Sequence, residues 1–156
     1  MKILPWNEPH IMEWSRLLLD SYRHWMGKDL IERASDTKQQ ARMLFEASIV
    51  VVSHGGEPDP ILNYGNQTAL NLWELSWDQF IKTPSRLTTE PVDRAERRKI
   101  LERAMLNGYF EGYRGVRISS TGRRFLIEQA LIWNVINPDG SPLGQAATFS
   151  QWSNLP

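Results

Sequence analysis

Chemistry in a protein chain begins with its nucleophiles, its bases and its metal ligands, and this sequence holds few of them. Its only histidines are His10, His24 and His54, in a leading segment, on a helix face and in a turn. No two of them stand at the helical spacing of a zinc motif, and no carboxylate completes a ligand set, so they read as surface histidines and no metal site is expected. The absence of cysteine rules out thiolate nucleophiles, disulfides, cysteine–zinc sites and a cysteinyl–flavin adduct, and it fits a reducing compartment. A serine-hydrolase elbow, G-x-S-x-G, is missing, and Gly55-Gly56 lacks the lysine and helix cap of a phosphate loop. Glu111 and Glu128 remain as an acid or base. Each lies on a strand phase that includes polar residues and is expected in solvent. The expectation is a protein without catalytic residues.

The aromatic residues offer more. Seven tryptophans stand among 156 residues, and core packing accounts for most of them. The functional alternative is an aromatic-lined cavity that holds a small, flat ligand by stacking. Its expected walls are Trp73, Phe80, Phe125, Ile127, Gln129, Trp133 and Phe149. Four of these lie in Arg124–Val135, where apolar and polar residues alternate as in a long strand. Phe125, Ile127, Leu131, Trp133 and Val135 form the phase expected to face the core, and Leu126, Glu128, Ala130, Ile132 and Asn134 the exposed one. Gln129 interrupts the apolar phase. A buried amide without partners costs about 1–3 kcal/mol, so Gln129 is expected to meet a strand neighbour, a water or a ligand.

These residues need elements to position them. Ile11, Trp14, Leu18, Tyr22 and Trp25 recur at helical spacing after Asn7-Glu8-Pro9 and predict a first amphipathic helix, ending near Gly27. Asp36 and Gln39 form a capping box for a second, to about Ala47. Ser48–Val52 and Ile61–Tyr64 read as strands around a turn-forming stretch. Asn66 and Ser76 are placed to cap two short helices. Asp93 and Glu96 would open a longer one with Ile100, Leu101, Ala104 and Met105 buried. Tyr109–Ser119, the long strand and Gly144–Trp152 then form a hairpin-connected meander. The fold class is α+β: an antiparallel sheet of about five strands, with helices inserted between strands two and three and two helices leading. The division expected is a helical extension over 1–45 and one compact unit over 46–156.

The formal net charge is zero, which argues against general nucleic-acid binding. Residues 94–124 nevertheless carry a net charge of +6. The plain reading is a solvated helix and hairpin, the functional one an anion or acidic-partner surface. No apolar run approaches a membrane span, and the opening residues lack a signal-peptide core. A cytoplasmic protein is expected.

Asn66-Gln67-Thr68-Ala69-Leu70 after a strand, Trp73-Glu74-Leu75-Ser76 beyond it and the Asp139-Gly140 turn between the last strands resemble a PAS domain over 46–152. ILNYGNQTALNLWELSWDQFIKTPSRLT, GYRGVRISSTGRRFLIEQALIWNVIN and GQAATFSQW resemble, more narrowly, the MEKHLA family. That family is a PAS-like module found alone in bacteria, notably cyanobacteria, and at the C-terminus of plant class III homeodomain–leucine-zipper regulators. The resemblance is to a stand-alone bacterial member, although the string that gave the family its name is absent here. It implies a sensory or regulatory module that binds a small ligand and signals through protein contacts. The alternatives are a pure interaction module with a self-filled core, or a small-pocket α+β enzyme. No cofactor is named by the residues, and 93–107 offers no histidine for haem. PAS-like pairing implies a homodimer or a partner protein, with Ile11, Trp14, Leu18, Tyr22 and Trp25 meeting Leu126 and Ile132 across subunits or within one.

Overall fold

A computed structural model describes residues 4–156. Its helices are α1 (Pro9–Met26), α2 (Thr37–Phe45), α3 (Gln67–Trp73), α4 (Trp77–Phe80) and α5 (Arg94–Asn107), and its strands β1 (Val50–Gly55), β2 (Leu62–Gly65), β3 (Tyr109–Ile118), β4 (Arg124–Ile136), β5 (Pro142–Phe149) and β6 (Gln151–Asn154). The strands make one antiparallel sheet in the order β2-β1-β5-β4-β3, with β6 continuing beyond β5 along β4. The last expected strand is thus two, interrupted at Ser150.

Three helix starts follow the sequence closely. The Asp36 side chain accepts from Gln39 N, Asn66 from Ala69 N, and Ser76 and Gln79 complete a capping box. Two do not. Glu8, not Asn7, is the cap of α1, and Asp93 makes no side-chain cap because a 3₁₀ turn over Pro91–Asp93 feeds α5 directly. Of the four α5 residues expected inside, only Ala104 is buried, and Met105 is 43% exposed.

The sheet has two covered faces. On the outer face α1 packs against β1 and β4: the Trp14 indole N–H donates to Ser53 Oγ at 2.8 Å, that of Trp25 donates to the Asn134 carbonyl at 2.9 Å, and Tyr22 meets Trp133 edge-on at 5.3 Å. Ile11, Leu18 and Tyr22 are buried there. The aromatic stripe of α1 is therefore covered within the chain. The inner face carries Val52, His54, Ile132, Gln145, Ala147 and Phe149, under α3, α4 and α5.

β4 corrects the expected register. Gln129 has φ 52° and is exposed, and the side-chain phase reverses across it. Phe125 and Ile127 face inward as expected. Beyond Gln129 it is Ala130, Ile132 and Asn134 that face inward, while Leu131, Trp133 and Val135 turn to α1. Period-two alternation assumes extended backbone throughout, and one left-handed residue breaks the count. Gly112, in β3, has φ 72° and sits in the same irregular stretch of the ladder. With Ser150 between β5 and β6, these positions form a crease across three neighbouring strands.

Candidate functional site

Between the inner face and the helices lies a cavity of about 50 Å³. A water needs roughly 10–15 Å³ by this measure, so the space suits a few waters or a molecule of a few heavy atoms. It is far below the roughly 300–1,000 Å³ of a drug-sized site. Its apolar end is an aromatic cluster in which Trp73 meets Phe125 at 5.3 Å, Phe149 at 6.2 Å and Phe80 at 6.4 Å.

Of the expected wall residues, Trp73, Phe80, Ile127 and Phe149 line this cavity. Phe125 is buried behind Trp73 without lining it. Gln129 is at the surface because its left-handed backbone turns it out of the ladder, so no buried amide needs a partner. Trp133 is fully buried on the opposite face, against Tyr22. Of the residues assigned to an interface, Ile11, Leu18 and Tyr22 are buried under α1. Trp14, Trp25 and Leu126 are half-buried. Ile132 lies on the cavity side rather than the exposed face. Glu128 is at the surface with Arg114 3.5 Å away, and Glu111 is exposed.

His54 departs most from expectation. It belongs to β1 rather than a turn, is 8% exposed and lines the cavity. Its Nδ1 lies 2.9 Å from the Gly55 carbonyl, and Nε2 has no partner. Burial holds its pKa below the usual value, opposed by the Gly55 contact, with Arg97 lowering it further and Glu57 raising it. The sequence-level signal for burial was weak: one more step of alternation after Val50 and Val52, obscured by the glycines that follow.

The polar end was also missed. Arg97 on α5 and Arg117 on β3 line the cavity with Ser85 and Thr88. An Arg97 Nη donates to Ser85 Oγ at 2.5 Å, while its Nε is shut from solvent and unpartnered. Burial, and then the nearby Arg117, push the Arg97 pKa down to about 9. Arg117 is 8% exposed, lies over the Tyr113 ring at 5.1 Å and donates to the Tyr113 hydroxyl at 2.9 Å. Among the described residues, neither arginine has a carboxylate within ion-pair distance. The visible signal was the basic run itself, with Arg97 and Arg98 one turn beyond Arg94.

An antiparallel sheet with its helices gathered after the second strand, enclosing a cavity against its inner face, defines a PAS-like domain. Solved structures of that fold agree: a PAS domain from Colwellia psychrerythraea superposes with a TM-score of 0.63 at 18% identity, covering 76% of this chain and 95% of that one. An RNA-binding light-oxygen-voltage receptor gives 0.61 at 18% identity, over 77% of this chain and 33% of the receptor. The chain belongs to the MEKHLA domain family, which it matches over residues 12–154. That match runs through α1 and α2 as well as the sheet. Among curated proteins it is 25% identical over 143 residues to the homeobox-leucine zipper protein HOX9 of rice, and 23% identical over 154 residues to ATHB-15 of Arabidopsis thaliana. It covers 89% and 96% of this chain but spans only 17% and 18% of those proteins. No helix among the described residues is long and apolar enough to cross a membrane.

Proposed function

We propose that this chain is a non-catalytic sensory or regulatory domain that takes a small ligand into the cavity between sheet and helices and passes its occupancy to a protein partner. The observation that carries the reading is the cavity's lining, where buried His54 Nε2, Trp73 Nε1 and Arg97 Nε have no hydrogen-bond partner. Buried polar groups are nearly always satisfied, and each orphan costs about 1–3 kcal/mol. A bound molecule supplying the missing contacts removes that cost. Membership of a family found in homeobox-leucine zipper proteins supports a regulatory rather than an enzymatic role. A chain without cysteine suits the cytoplasm. The partner, a second copy or another protein, meets a surface other than the stripe of α1, which is used within the chain.

The test is native mass spectrometry and absorbance of freshly purified protein, followed by denaturation and analysis of released small molecules. A stoichiometric non-protein mass supports the reading. Only bare protein, with no melting shift across a metabolite library, would refute it. One observation favours a second reading, an interaction module with a self-filled core: the cavity is small, and the Trp73, Phe80 and Phe149 rings occupy most of one end. Light scattering and partner capture with no ligand in either state would support that alternative.

A further inference from the structure

Resting on the ligand-binding reading above, we infer that the cavity takes a small carboxylate with a short apolar body, its acid group held at the Arg97–Arg117 end and its hydrocarbon against Ile127, Ile132 and Phe149. Three observations lead there. First, the cavity is electrically one-sided: two arginines line it, no aspartate or glutamate does, and neither guanidinium has an acidic partner among the described residues. Buried cations are ordinarily paired, because an uncompensated charge is expensive to desolvate. Second, the unpartnered groups include a surplus donor where the acid group would sit. At the polar end Arg97 Nε can only donate, and it is buried without a partner. A carboxylate offers acceptors and the missing negative charge together, with the stronger bonds that charge gives. Third, a basic surface cleft lies directly behind the arginine end. A surface cleft of about 390 Å³ between the β1–β2 turn and α5 shares His54, Ser85, Arg97 and Gln145 with the cavity as common wall. Its rim adds Arg86, Arg94 and Arg98 against Asp59 and Glu102, so its field draws anions toward Arg97.

The size limit then selects the ligand. About 50 Å³ excludes a dinucleotide or a flavin and suits an acid of two or three carbons, since a six-atom ring needs a cavity of about 150 Å³.

Isothermal titration of the full chain at pH 7 and constant ionic strength tests this with acetate, propionate and isobutyrate, the matching primary amides, and inorganic phosphate. Acetate or propionate should bind at least about tenfold more tightly than its amide, because the amide lacks the charge the arginines complement, and isobutyrate, which exceeds the cavity, should bind more weakly than either. Arg97→Met should remove that preference, and Arg97→Lys should restore part of it. If Arg97→Met fails to fold, the acid–amide comparison on the unaltered protein still decides. Amides binding as well as acids would overturn the carboxylate assignment and leave the ligand-binding reading standing. Phosphate binding more tightly than any acid would replace the carboxylate with an inorganic anion. No binding by any probe would overturn the inference, and if purified protein also carries no small molecule the ligand-binding reading falls with it.

Discussion

Replacing Asn66 by alanine should be among the most damaging single changes available outside the cavity. Asn66 is fully buried at the joint between β2 and α3, and its side chain serves both directions of hydrogen bonding. Oδ1 accepts from Ala69 N at 3.2 Å, capping α3, and from Val51 N at 3.1 Å in β1. Nδ2 donates to the Ile49 carbonyl at 2.7 Å and the Leu44 carbonyl at 3.3 Å, tying in the chain between α2 and β1. Losing the cap costs about 1 kcal/mol. Leaving the Val51 N–H buried without this acceptor costs about 1–3 kcal/mol more. The sum of roughly 2–4 kcal/mol corresponds to about 5–15 °C in melting temperature for a chain of this length. Urea and thermal unfolding followed by circular dichroism would measure it. Asn66→Asp separates the two halves: it keeps the acceptors but sets a carboxylate against the Ile49 carbonyl, so it should be no better than alanine. A loss under about 1 kcal/mol for Asn66→Ala, with unchanged denaturant slope, would refute the reasoning.

Three further outcomes are expected. Because burial lowers the native pKa of His54, the folded state binds fewer protons than the unfolded one. Its contribution is present above about pH 6.5 and is lost as pH falls through the lower native value. His54→Gln should therefore flatten the stability profile below about pH 6.5, and parallel profiles for the two proteins would show that His54 does not titrate as argued. At Gln129, with φ 52°, glycine should be neutral or gain up to about 1 kcal/mol while valine loses about 1–2 kcal/mol; chemical denaturation giving the reverse order would mean the residue is extended in solution. Trp14→Glu combined with Ile132→Glu should unfold the chain rather than release a folded monomer, because the two residues serve opposite covered faces of the same sheet. Circular dichroism of the double variant decides.

The architecture was largely legible because its signals are local. Asn66 and Ser76 are capping residues by chemistry, Asn137-Pro138-Asp139-Gly140 turns by its own dihedral preferences, and the stripe of α1 needs only helical spacing. The site was less legible because its determinants are not local. Trp73, Phe80, Ile127 and Phe149 could be named as walls since aromatic and branched residues mark interiors. Gln129 and Trp133 could not be placed correctly, because alternation carries no record of one residue in a left-handed conformation. His54 and Arg97 fail for a different reason. Their residue types predict the surface, and only the approach of α5 to the far end of β1 makes them walls of a cavity.

The crease through Gly112, Gln129 and Ser150 gives that cavity a mechanical character. Ile127 and Arg117 stand on one leaf of the sheet, Ile132, Gln145 and Ala147 on the other. The cavity thus spans both leaves, so a change in the angle between them would change its volume. α1 braces only the second leaf, through Trp14, Tyr22 and Trp25. A ligand entering as proposed would therefore find its unbraced wall in the leaf that carries β6 and Trp152.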